Sequence, residues 1–123
     1  MKRYAIGLIA VLVAFVTGTL AGDVAPQAPK YTIPQIMMKA HKPPANLLRT
    51  VAQGQATAQQ KTELLDLYKE LAKNTPPRGE AADWAERTEL LVAAAQAAVD
   101  GDPDASAQLT KASNCMACHD LHK

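Results

Sequence analysis

Two cysteines and a histidine near the C-terminal end of the chain carry the most specific chemistry in the sequence. They belong to Cys115-Met116-Ala117-Cys118-His119, a C-x-x-C-H motif. Residues three and four apart share one face of a helix, so the two thiols and the imidazole project together. The thiols can add to the two vinyl groups of a haem while the imidazole binds the iron. The motif therefore predicts one haem c, covalently bound through Cys115 and Cys118, with His119 as the proximal iron ligand.

Three other uses of the motif compete with haem attachment. A dithiol that exchanges disulfides normally begins a helix in a βαβ unit, whereas we expect this motif at the end of a helix in an all-helical chain. A zinc site using Cys115, Cys118, His119 or His122 needs a further ligand, and His41 is the only other histidine. A disulfide within the motif would close too small a loop to stabilise much. Haem attachment is the favoured interpretation.

The N-terminal residues have the pattern of a secretory signal. Lys2 and Arg3 precede an apolar run over 5–16, and small residues follow up to Ala21. This predicts a signal peptide over 1–21 and export to the periplasm, with no membrane span once the signal is removed. The alternative is an uncleaved anchor helix, because the run approaches the roughly 20 apolar residues that a span needs.

The charge of the exported chain argues against nucleic-acid binding. Of the 13 Lys and Arg residues, two lie in the predicted signal, while all 12 Asp and Glu residues follow it. The net charge of the chain after the predicted signal is therefore close to zero. No basic stripe with interleaved aromatic residues is present. Residues 22–31 contain two prolines and no apolar period, and we interpret them as a flexible lead to a single domain over 32–123.

Apolar residues recur at helical spacing in four segments of that domain, and no segment has the pattern of a strand. Pro43 and Pro44 divide the first segment, and a Thr57–Gln60 capping box begins the second. We expect an all-α protein, an antiparallel four-helix bundle with haem attached near the C-terminus of the last helix. The residues predicted to face inward are Ile33, Ile36, Met37, Ala40, His41; Leu64, Leu65, Tyr68, Leu71, Ala72; Trp84, Thr88, Leu91, Ala95, Ala98; and Ala105, Leu109, Ala112, Cys115, His119.

A haem motif at the end of such a bundle resembles the class II c-type cytochromes, the cytochrome c-prime-like group. The resemblance covers residues 33–123 and includes Ile36-Met37-Met38-Lys39 in the first helix and Trp84-Ala85-Glu86-Arg87 at the start of the third. The double proline and the short turn before the third helix depart from the family pattern. The resemblance implies one of two kinds of haem: five-coordinate haem that binds small gases, or six-coordinate haem with a first-helix methionine as sixth ligand.

The sixth iron ligand is the residue that separates these two kinds. Met37 lies on the inward stripe and is the predicted distal ligand, with a role as flexible core filler as the alternative. His41 is the competing ligand and would give a bis-histidine haem of lower potential. Met38 is expected to face a neighbour or solvent.

Further haem contacts are expected from the third helix. Trp84 could pack on the porphyrin or simply between helices. Arg87, Arg78 and Lys39 are candidates to pair with haem propionates, with a solvated surface as the alternative for each.

The acidic residues form no catalytic constellation. Carboxylates recur at helical intervals among Lys and Arg, as on solvated faces. We therefore expect no enzyme but a periplasmic carrier of single electrons that meets redox partner proteins transiently. The alternative is a five-coordinate haem protein that binds nitric oxide or carbon monoxide. The sequence leaves open the reduction potential, the electron donor and acceptor, and whether the chain forms a homodimer.

Overall fold

The computed structural model describes residues 28–123, and every regular element among them is an α-helix. The prediction of an all-α protein is confirmed for this part of the chain. The predicted signal peptide and most of the predicted lead lie outside the described residues. No helix within 28–123 is long and apolar enough to cross a membrane. The helices are α1 (Ile33–His41), α2 (Leu47–Ala52), α3 (Ala58–Lys73), α4 (Ala81–Val99), α5 (Ala105–Ala112) and α6 (Cys115–His122).

Side-chain caps fix the starts of α1 and α3 where the sequence predicts them. The Thr32 hydroxyl accepts the Gln35 backbone N–H, and the Gln35 side chain accepts the Thr32 backbone N–H. Thr57 and Gln60 form the same reciprocal pair at α3. These bonds satisfy backbone N–H groups that have no partner within the helix. The predicted division at the double proline is also confirmed, since α1 ends before it and α2 begins after it.

The helix α4 packs against α3, α5 and α6 and is the centre of the core. All five of its predicted inward residues are buried, and the two alanines among them let neighbouring helices approach closely. On α3 the buried arc is centred on Leu64, Tyr68 and Leu71 and includes Leu67. Ala72 falls outside this arc and is exposed, so its predicted inward position is wrong.

The predicted last helix is two helices. It stops at Ala112, and α6 begins at Cys115 with Asn114 as its N-cap. The Asn114 side chain accepts the Ala117 backbone N–H at 3.2 Å, an interaction that competes with continuation of the preceding helix. The predicted continuous stripe from Ala105 to His119 is therefore wrong, and Cys115 is exposed rather than inward. The C-x-x-C-H motif begins a short helix instead of ending a long one.

Removing the Asn114 cap should loosen α6 specifically. Asn114→Ala is expected to lower the free energy of unfolding by about 1 kcal/mol and to speed amide exchange throughout α6. Thr57→Ala, which removes the cap of α3, should cost a similar amount while leaving exchange in α6 unchanged. Urea denaturation and amide hydrogen exchange measure the two effects. Unaltered exchange in α6 of Asn114→Ala would show that this cap does not start the helix.

Candidate functional site

The short helix α6 lies alongside α4, and the two run in opposite directions. Near the end of α6, His122 Nε2 is 2.7 Å from the Asp83 carboxylate in the first turn of α4. One turn earlier on α6, Cys118 lies within electrostatic range of Arg87, one turn later on α4. Cys115, Cys118, His119 and His122 have the spacing of a single helix face. The position of α6 along α4 therefore decides which residues of α4 lie beside the motif.

A cavity of about 520 Å³ opens where α4, α5 and α6 meet, and Cys118 forms part of its wall. Its volume lies within the range of roughly 300–1,000 Å³ that is typical of small-molecule and cofactor sites. The only charged side chains in its lining are Arg87 and Lys111, both cationic. The apolar part of the lining comes mainly from Leu71, Leu90, Leu91, Ala93, Ala94, Ala112 and Ala117.

The motif also lies within electrostatic range of a pair formed by half-buried His41 and buried Tyr68. His41 Nε2 is 3.0 Å from the Tyr68 hydroxyl, which links the end of α1 to the middle of α3. Burial lowers the pKa of His41, and the nearby positive charge of His119 lowers it further. Burial raises the pKa of Tyr68, with the charge of ionised Cys115 as the smaller cause. His41 is therefore held as a neutral imidazole, the form that binds metals.

The position of the thiols differs from the one that argued against a disulfide-exchange role. Both cysteines are free, Cys115 exposed and Cys118 partly buried. Cys115 begins a helix, as the first thiol of dithiol enzymes does, and burial raises the pKa of Cys118, the second thiol. The expected position at a helix end is wrong, and it no longer separates haem attachment from disulfide exchange. Within residues 28–123, no three side chains among His, Cys, Asp and Glu converge as metal ligands would.

His122 has a structural setting that the sequence did not predict. Its ring is 3% exposed, with Nδ1 3.0 Å from the Arg78 carbonyl oxygen and the edge of Trp84 packed against it at 5.3 Å between ring centres. The turn residue Gly79 has φ +90°, and a Cβ there would overlap the imidazole. The sequence signal for this close approach is the glycine itself. His122 pairs with α4 and is not placed as an additional metal ligand.

The other residues predicted to contact a haem differ in their burial and in their partners. Trp84 is buried, and its indole N–H has no hydrogen-bond partner among the described residues. The Arg87 guanidinium is paired with Asp83 at 2.7 Å. Lys39 lies over the ring of Tyr31. The backbone carbonyl oxygen of Arg78 contacts Nδ1 of His122.

The two methionines of α1 differ in burial. Met37 is half-buried and packs against the core, which keeps it on the inward side of the helix. Met38 is 62% exposed, as expected for a residue that faces solvent. Met37 therefore remains the methionine of α1 that is available to a buried site.

Comparisons of the chain with protein-family models, with curated proteins and with solved structures gave no match. The functional assignment therefore rests on the residues and their geometry.

The Asp83 carboxylate should make stability depend on acid pH. Its hydrogen bond with Arg87, and then that with His122, hold its pKa below the usual range. The stabilisation is complete above the unfolded-state pKa near 3.8 and is lost as pH falls through the lower folded-state value. Asp83→Asn should unfold at lower urea concentration at pH 7, and its curve should converge with that of the unmodified protein near pH 2. Asp66→Asn, at an exposed position of α3, is the control and should keep the full acid dependence.

Proposed function

We propose that this chain is a monohaem c-type cytochrome of the class II kind and that it carries single electrons in the periplasm. The observation that carries the proposal is the placement of the C-x-x-C-H motif. Cys118 borders a largely apolar cavity, while His119 lies within electrostatic range of a second, neutral histidine. A pair of thiols beside an imidazole is the donor set by which haem c is attached and ligated.

The residues around the motif suit a haem in size, polarity and charge. The cavity offers apolar walls for a porphyrin, and its lining has cations but no carboxylates to oppose the propionates. The indole N–H of Trp84 is a buried donor without a partner in the described chain, and such donors normally find an acceptor. We propose that Trp84 and Arg87 contact the haem and that a propionate accepts the Trp84 N–H.

The six helices support the predicted bundle as the setting of this haem. Counted as α1 with α2, α3, α4, and α5 with α6, they are the four successive segments that the sequence indicates. We propose that these segments form an antiparallel four-helix bundle, with the haem attached at the C-terminal α6. The alanines of α4 give little apolar area, so a large cofactor would add much of the burial that a small domain needs.

Two residues on α1 are proposed as the sixth iron ligand. Met37 is the ligand predicted from the sequence, and it lies on the inward side of α1. His41 is the second candidate, because its imidazole is neutral and lies within electrostatic range of His119. A thioether would give a higher potential than a second imidazole, because sulfur stabilises ferrous iron. Either ligand gives a six-coordinate, low-spin haem.

The proposed activity requires no substrate chemistry. A haem bound at this site would supply a one-electron couple between ferric and ferrous iron. The chain would attach it through two thioethers, orient the imidazole of His119 and exclude water with the apolar wall. We propose transient redox proteins as partners, an exported location that follows from residues 1–21, and no nucleic-acid or catalytic role. Pairing into a homodimer is compatible with the proposal.

Gas binding is the competing function. If neither Met37 nor His41 reaches the iron, the haem is five-coordinate and open to nitric oxide or carbon monoxide. The optical spectrum distinguishes the two, because a low-spin haem has sharp reduced α and β bands. A high-spin spectrum together with ready carbon monoxide binding would make gas binding, and not electron transfer, the supported function.

Covalent haem should depend on both thiols. Cys115→Ala combined with Cys118→Ala is expected to abolish it, because no other cysteine exists in the chain to form a thioether. The variant is produced in a host with c-haem maturation, and a denaturing gel is stained for haem peroxidase activity. Met116→Ala, at the exposed position between the thiols, is the matched control and should stain fully. An undiminished haem band in the double variant would refute covalent attachment.

Substitutions on α1 should identify the sixth ligand. With Met37 as ligand, Met37→Ala opens the iron: the low-spin spectrum is lost, ferrous carbon monoxide binding tightens and the potential falls. Loss of stability by roughly 2–5 kcal/mol should accompany the change if the side chain is fully packed in the holoprotein. Met38→Ala is the control, since its side chain is exposed. His41→Ala turning high-spin while Met37→Ala stays low-spin would assign His41 instead.

A further inference from the structure

The buried imidazole of His122 is bonded on both sides by groups that only accept hydrogen bonds. Nδ1 meets the carbonyl oxygen of Arg78 at 3.0 Å, and Nε2 meets the Asp83 carboxylate at 2.7 Å. The two contacts tie the imidazole to the turn before α4 and to the first turn of α4 itself. The ring therefore has a polar partner on each side.

This pairing fixes the register of α6 along α4. Asp83 is in the first turn of α4, and Arg87, one turn later, is paired with the same carboxylate. On α6, Cys118 precedes His122 by one turn and lies within electrostatic range of Arg87. A shift of α6 by one helical turn, about 5.4 Å, would break both pairings and move Cys118 away from the cavity. The bond between His122 and Asp83 therefore determines where the motif lies.

The surrounding residues hold the imidazole in one place. Trp84 packs edge-on against one side of the ring. The turn after α3 passes close beside it at Gly79, where a side chain would occupy the space of the imidazole. His122 is 3% exposed. A polar ring buried to this extent has to be supported by specific contacts.

We propose that His122 is a positioning residue that fixes the haem-attachment helix on α4 and orients the proximal His119. This inference rests on the proposed haem function. His119 precedes His122 by three residues on the same helix face, so a change at His122 acts on the ring that would bind the iron.

Four variants of the full-length haem-loaded protein test the proposal. His122→Ala removes both bonds, and His122→Gln keeps an N–H donor. Gly79→Ala displaces the ring while retaining the histidine. Leu121→Ala, at the exposed neighbouring position, is the matched control. The measurements are covalent haem content, reduction potential and the reduced optical spectrum.

The expected results separate positioning of the motif from a purely structural role. His122→Ala and Gly79→Ala should lose haem attachment in part, and the protein that matures should have a shifted potential and an altered spectrum. His122→Gln should recover haem attachment and the spectrum in part, because it keeps a hydrogen-bond donor. Leu121→Ala should match the unmodified protein.

Two outcomes overturn the inference, and they are distinguishable. If the unmodified protein carries no covalent haem, the proposed function fails and this inference fails with it. If the unmodified protein carries haem but His122→Ala and Gly79→Ala keep its haem content, potential and spectrum, His122 only stabilises the fold. A lower urea midpoint alone would then be its whole effect.

Discussion

The contact between α6 and the first turn of α4 is the constraint on which the candidate site depends. An isolated helix of eight residues does not persist in water, since helix nucleation is costly and few bonds repay it. The helix that carries both cysteines and His119 must therefore be held by its neighbours. The described contacts that hold it are the Asn114 cap at its start and the His122 pairing at its end. Both contacts are made by polar side chains with specific hydrogen-bond partners.

Two histidines near the motif have different settings in the fold. His41 is half-buried with a tyrosine hydroxyl as partner, and burial together with the charge of His119 lowers its pKa and keeps it neutral. His122 is buried against a carboxylate and a carbonyl oxygen, which lie on and beside α4. The first setting suits a candidate iron ligand, and the second holds α6 in place.

The alanine-rich face of α4 links the fold to the proposed cofactor. Small side chains allow close helix packing but bury little apolar surface, which limits the stability of a domain of this size. The cavity bordered by Cys118 lies on this same helix. A porphyrin there would replace solvent-accessible apolar walls with packed contacts. Folding and haem attachment are then expected to support each other, as in other small domains that bind a prosthetic group or metal.

The sequence by itself determined the all-helical class, the starts of α1 and α3, the division at Pro43-Pro44 and the inward face of α4. These features depend on short-range rules: a cap bonds three residues ahead, proline lacks an N–H, and a buried stripe repeats every turn. Sequence also identified the motif, because its spacing is local. The predicted antiparallel bundle, the haem position and the iron ligands stay predictions.

Only the tertiary structure decided the settings of Tyr68, His122 and Gly79, and the separation of α6 from α5. His41 meets Tyr68 27 residues away, and His122 meets Asp83 39 residues away. No periodicity encodes such pairs, because they exist only once packing has set the register of one helix on another. The break at Asn114 had a local signal, a capping residue inside an apolar stripe, but the stripe suggested continuity. Local bonding of the asparagine side chain outweighed that periodicity, since α6 then packs on α4 with its own cap and its own partner.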